Sequence, residues 1–152
     1  MHAHFPRRTI LWTDVRSLLE EQVMKVRKEI TVALENAPGR LAHLSKCLAD
    51  RKVNILAISV LESTDMGLVR MVVDKPAVAL KMLTGGCPMT TTVTDVLEVT
   101  APNKVGALAD LAAKLARKRI NVDYLYGSTV TRGRASIIVK VKNLKAARKA
   151  LR

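Results

Sequence analysis

Residues 36–55 read NAPGRLAHLSKCLADRKVNI, and 67 positions later residues 103–122 read NKVGALADLAAKLARKRINV. Asn36, Gly39, Leu41, Ala42, Leu44, Leu48, Ala49 and Asn54 return as Asn103, Gly106, Leu108, Ala109, Leu111, Leu115, Ala116 and Asn121. Beyond the next strand the offset becomes 68. One residue has entered a hairpin, where extra length costs little. A match that survives such an insertion marks a duplicated fold unit and not one shared motif.

The same order of elements is expected in each copy. Ile30, Val32 and Leu34 alternate with polar or small neighbours, as a half-buried strand does. Asn36-Ala37-Pro38-Gly39 interrupts that strand. Leu41, Leu44 and Leu48 then fall at helical spacing, to about Lys52. Strands over Val53–Leu61 and Leu68–Val73 follow, joined by a turn over residues 63–67. Pro76 opens a second helix, Gly85-Gly86 ends it, and a fourth strand lies near Thr90–Thr94. The second copy predicts strands over Val96–Thr100, Asn121–Ser128 and Ala135–Val141. Its helices run across Leu108, Leu111 and Leu115 and over Leu144–Leu151.

The order β-α-β-β-α-β gives an α+β protein of two tandem ferredoxin-like units, each with strand order 4-1-3-2 and both helices on one face. The second unit lacks its fourth strand, so one sheet edge should be bare or covered by something else. The expected organisation is an extension over residues 1–23 and units over 24–94 and 95–152. Thr13 to Val26 has a mildly helical pattern, and Met24 is an alternative translation start that N-terminal sequencing would decide.

Composition narrows the function classes. The chain is 49% hydrophobic and 26% charged, which fits a folded domain. Only 3% of residues are aromatic, so the core must be aliphatic. The net charge of +13 is uneven. Residues 1–92 hold 13 basic against 9 acidic groups, and residues 93–152 hold 13 against 4. The basic residues are scattered among apolar ones, which reads as a solvated face more than a nucleic-acid surface. An alternative basic nucleic-acid binder would use residues 114–119 and 140–152. RNA recognition on this fold class needs exposed aromatics on the central strands, where Val32, Met71 and Val99 stand; Tyr124 and Tyr126 share one other strand.

No apolar run reaches membrane-span length, and Ile10-Leu11-Trp12 is too short for a signal peptide. Cys47 and Cys87 form no CxxC pair, so reduced thiols in a cytoplasmic protein are expected, without disulfide or zinc. His2 and His4 are too few to hold a metal, and His43 is read as an exposed helix residue with no partner at ligand spacing. No phosphate-cradling motif, triad motif or paired carboxylates stand out. The expected catalytic, metal and cofactor sets are therefore none.

Five segments together resemble the ACT domain family, in its small stand-alone form with two ACT repeats. They are Glu35–Ala42, Lys52–Ile58, Asp65–Pro76, Pro102–Ala109 and Arg119–Tyr126. The second copy departs from the pattern with Val105 before Gly106 and Ala107 in place of Arg40. The resemblance implies a non-catalytic, regulatory sensor of a free amino acid, working as a homodimer or higher homo-oligomer with sheets side by side. A metabolic enzyme is a further possible partner; membrane and nucleic acid are not expected.

The residues supply a chemical reason for such a ligand. A strand-to-helix turn at Gly39 presents backbone N–H groups of Arg40 and Leu41 at the positive end of a helix, which favours a carboxylate. Asn36 can accept from an ammonium and donate to a carboxylate. The candidate binding residues are thus Asn36, Ala37, Pro38, Gly39, Arg40 and Leu41, and in the second copy Asn103, Val105, Gly106, Ala107 and Leu108. By the resemblance, Asn54-Ile55 and Asn121-Val122 would close the pocket from a neighbouring unit. The same Asn and Gly residues also suit a turn that binds nothing, which leaves a purely structural dimerisation module as the alternative.

Overall fold

The computed structural model describes residues 23–62, 65–131 and 133–152. Six strands form one antiparallel sheet in the order β2-β3-β1-β4-β6-β5. They are β1 (Val23–Glu35), β2 (Ile55–Leu61), β3 (Met66–Val73), β4 (Thr91–Pro102), β5 (Tyr124–Thr131) and β6 (Arg134–Lys140). The helices are α1 (Arg40–Asp50), α2 (Pro76–Lys81), α3 (Ala107–Arg117) and α4 (Leu144–Leu151); α2 runs on into a wider π-helical turn over Met82–Gly86. Both units have the expected order: β4-β1-β3-β2 is 4-1-3-2, and β4-β6-β5 is its 1-3-2 part.

The position of the second unit's missing strand is filled by the first half of β1. Val23–Glu29 pairs with Thr94–Thr100, while Glu29–Glu35 pairs with Met66–Val72 of the first unit. β1 therefore serves both units in succession, and β4 crosses from the first to the second without a break. The sheet edge beside β4 is covered, not bare. The helical pattern read over Thr13–Val26 is overturned for Val23–Val26, which are strand residues; residues 13–22 lie outside the described residues. Pairing explains the change: Val23–Val26 find backbone partners along β4, at Leu97–Thr100, which a short, weakly amphipathic helix cannot offer.

All four helices cover one face. Ile30, Val32, Leu44, Leu48, Met71 and Leu83 form one core, and Leu97, Val99, Leu111, Leu115, Val139 and Leu151 form its counterpart, each almost fully buried. Burying each such side chain contributes about 1.5–3 kcal/mol relative to exposure, so helical spacing of leucines suffices to dock α1 and α3. The two helices even end alike. Lys52 and Arg119 adopt left-handed φ values of 53° and 54°. Val53 N–H donates to Leu48 O at 3.0 Å, and Ile120 N–H to Leu115 O at 3.0 Å, the bond pattern that closes helix C-termini. At the other ends, Pro76 starts α2 and the Asn143 side chain caps α4 by accepting from Ala146 N–H at 2.9 Å.

The helix-free face carries a smaller cluster of its own. Val72, Val96 and Ile138 are buried there, with Ala57 of one edge strand and Tyr126 of the other packed against them. Glu29, wholly buried, accepts hydrogen bonds from both Tyr124 Oη and Tyr126 Oη, the latter at 2.8 Å. Arg70 stacks over the Tyr124 ring, 4.2 Å from its centre. The sheet twists enough for β5 side chains to reach β1 and β3.

Candidate functional site

The two turns match bond for bond. Gly39 and Gly106 precede α1 and α3 with φ of 86° and 88°, a left-handed conformation that glycine adopts without steric cost. Ala37 N–H donates to Glu35 O, and Lys104 N–H to Pro102 O. His43 N–H donates to Gly39 O and Asp110 N–H to Gly106 O, both at 2.9 Å. Asn36 N–H reaches Asp65 O at 3.0 Å, and Asn103 N–H reaches Gly133 O at 2.7 Å, anchoring each turn to the next hairpin.

One expectation is corrected. Arg40 N–H is not a bare donor, because it bonds Ala37 O at 3.3 Å; Ala107 N–H likewise bonds Lys104 O at 3.2 Å. Each turn closes on itself with that bond. The donors with no intrahelical acceptor are then those of Leu41 and Ala42, and of Leu108 and Ala109, in the first helical turns. Leu41, Leu108 and Val105 present exposed side chains beside them, Val105 completely so.

A cavity lies against each turn, between the strand end and the helix. The first, about 300 Å³, is lined by Leu34, Glu35, Arg40 and His43 together with Pro88–Thr90. The second, about 620 Å³, is lined at the equivalent positions by Ala101, Pro102, Ala107 and Asp110. Their charges differ. In the first, Arg40 Nε donates to Glu35 Oε2 at 2.9 Å, so the cation is already matched. In the second, Pro102 and Ala107 replace that pair, and Lys104, Lys114, Arg117 and Arg152 face Asp110.

Of the expected site residues, Arg40 and Ala107 line a cavity; Asn36, Ala37, Pro38, Gly39, Leu41, Asn103, Val105, Gly106 and Leu108 do not. Asn54-Ile55 and Asn121-Val122 do not approach either turn within the chain. Asn54 N–H binds Asp74 Oδ1 at 2.8 Å at the end of β2 remote from Gly39, and Ile55 packs on the first core. Asn121 Nδ2 donates to Asp123 Oδ1 at 3.4 Å at the start of β5, and Val122 packs on the second core. Lys104, Asp110, Lys114 and Arg117 line the second cavity but are not among the expected site residues. The signal was present: Lys104 lies inside the turn, and Asp110, Lys114 and Arg117 recur at helical spacing on one side of α3.

A second correction concerns the thiols. Cys47 of α1 and Cys87, just past the π-helical turn, form a disulfide with Cα atoms 6.7 Å apart. Their separation of 40 residues hid a contact that the packing of α1 beside α2 creates.

Comparison with known proteins agrees with this architecture. The protein BT0572 from Bacteroides thetaiotaomicron is 28% identical, with a TM-score of 0.78 over 84% of this chain and 88% of that one. The regulatory subunit of aspartate kinase from Thermus thermophilus is 15% identical, with a TM-score of 0.64 over 86% and 93% of the two chains. The corresponding subunit from Thermus flavus is 17% identical, with a TM-score of 0.61 over 86% and 94%. Among curated proteins none matches. No helix among the described residues is long and apolar enough to cross a membrane. The sequence matches the ACT domain pair over residues 24–151, and the chain belongs to that family.

Proposed function

We propose that this chain is a non-catalytic regulatory module that binds a free amino acid at its strand-to-helix turns and thereby changes how it associates with other chains. The observation that carries this reading is the pair of cavities at equivalent positions of both copies, lined by Leu34, Glu35, Arg40 and His43 in the first and by Ala101, Pro102, Ala107 and Asp110 in the second. The larger, second cavity is the better carboxylate site. Its wall bears four cations against Asp110, whereas Arg40 of the first is held by Glu35. Asn54-Ile55 and Asn121-Val122 lie at the starts of the two outer strands of the sheet, where association with a second copy could bring them over a turn. Leu56, Ile58 and Val60, all more than two-fifths exposed along β2, offer apolar surface for such an association. Sedimentation with and without ligand reads the oligomeric state.

Thermal unfolding of the full chain against each of the twenty amino acids at millimolar concentration tests the ligand. A ligand at a hundred times its Kd should stabilise by about 2.7 kcal/mol and raise Tm by several degrees. Lys114→Glu should abolish that rise by reversing charge in the second cavity. If none of the twenty moves Tm, ligand binding is wrong and the chain is a structural pairing module. That second reading has one observation of its own: the left-handed φ at Gly39 and Gly106 accounts for both glycines without any ligand. The basic residues Lys114, Arg117, Arg148 and Lys149 fall in last helical turns, where cations complement the helix dipole, so they need no nucleic acid.

A further inference from the structure

His43, Cys47 and Cys87 bring three metal-ligating atoms within 4.8 Å of one another. His43 and Cys47 are one helical turn apart on α1, so their side chains share a face; Cys87 meets them from the segment that follows α2. The disulfide accounts for the two sulfurs but not for the imidazole, whose Nε2 lies 3.7 Å from Cys47 Sγ. With zinc–sulfur and zinc–nitrogen bonds of about 2.3 and 2.0–2.1 Å, tetrahedral ligation sets neighbouring S and N ligands roughly 3.6 Å apart. The observed 3.7 Å, a hydrogen-bond contact between the two side chains, is also a spacing that two ligands of one ion can take. A Cα separation of 6.7 Å is near the upper end of what a disulfide spans, and leaves room for the sulfurs to part once reduced.

We propose that Cys47, Cys87 and His43 form a redox-gated site for a thiophilic, tetrahedrally coordinated cation of the zinc class. A thiol or phosphine reductant supplies two electrons, and with two protons the S–S bond becomes two thiols. Binding of Zn²⁺ then releases those two protons as two Zn–S bonds form, and neutral His43 adds its nitrogen lone pair. Oxidation to the disulfide removes both thiolates and closes the site. Because His43 also lines the first cavity, a fourth position is left for water or another donor, as three-ligand zinc sites have. The site is not part of the duplicated scaffold: at the equivalent positions the second copy has Asp110 and Lys114. It shares His43 with the first cavity, but its metal titration is read without any amino acid present, so its failure is distinct from a failure of amino-acid binding.

The test is titration of the full-length protein with Co²⁺ and then Zn²⁺, after anaerobic reduction with a phosphine and again after oxidation. The reduced protein should bind one Co²⁺ per chain, with thiolate-to-metal charge-transfer bands that Zn²⁺ abolishes. The oxidised protein should show no such bands. Cys87→Ser should lose the bands. His43→Ala, an exposed position that spares the core, should weaken binding at least about tenfold. A His2→Ala, His4→Ala double variant should bind as the wild type. The proposal is overturned if the reduced protein shows no charge-transfer band, if Cys87→Ser or the disulfide form keeps it, or if the double histidine variant loses it.

Discussion

Glu29 is the residue at which burial and charge conflict most sharply. A wholly buried carboxylate is costly unless hydrogen-bonded, and here both tyrosines of the chain donate to it. Burial first, and then the hydrogen bond and charge of Glu29, push Tyr124 and Tyr126 well above the usual phenol range. The fold thus holds both phenols neutral at pH values where the unfolded chain would ionise them, near pH 10. Their contribution to stability is fully present below about pH 10 and is lost as pH rises above it. Tyr126→Phe should cost about 1.5–3 kcal/mol at neutral pH, the usual range for a bond to a charged group. It should also flatten the alkaline decline, which denaturant unfolding from neutral pH to pH 11 would measure. An alkaline limb identical to wild type would remove Tyr126 from the coupling.

At the scale of elements, each turn is made by one left-handed glycine, and space is not what requires it. A Cβ built on Gly39 or Gly106 meets no atom within 4 Å. Only the positive φ resists substitution. Gly106→Ala should therefore lower stability by roughly 1–2 kcal/mol, the left-handed penalty of an L-residue, while leaving the second cavity's volume intact. Thermal melts alone and with a stabilising amino acid separate the two effects: Tm should fall while the ligand-induced rise persists. Gly127 is the opposite case. Its Cβ would lie 2.7 Å from Ser136 O, so there the close approach of β5 to β6 demands glycine.

At the scale of the whole molecule, the units are joined by strands they share. Without Val23–Glu29, the half of β4 that pairs with it would become an edge, and Leu97 and Val99 would lie beneath an unprotected ladder. A chain beginning at residue 30 should lose protection of the Leu97, Val99 and Ile137 amides against hydrogen exchange. Protection should survive longer at Ile30, Val32 and Met71. Equal protection of both groups in the shortened chain would show that the second unit does not depend on the strand lent by β1.

The sequence by itself determined the duplicated unit, its α+β class and the two turns. Those rest on local signals: alternation in Ile30, Val32 and Leu34, helical spacing in Leu44 and Leu48, and Gly39 and Gly106 where φ must be positive. Tertiary structure alone decided which strand fills the fourth place of the second unit, because pairing partners distant in sequence leave no local period. It also brought Glu29 under the two tyrosines, joined Cys47 to Cys87, and gathered Lys104, Lys114 and Arg117 around one cavity. Such side chains meet only once the sheet has formed and the helices have docked; spacing along the chain placed Lys114 and Arg117 on one side of α3 but carried no record of the Glu29 and cysteine contacts.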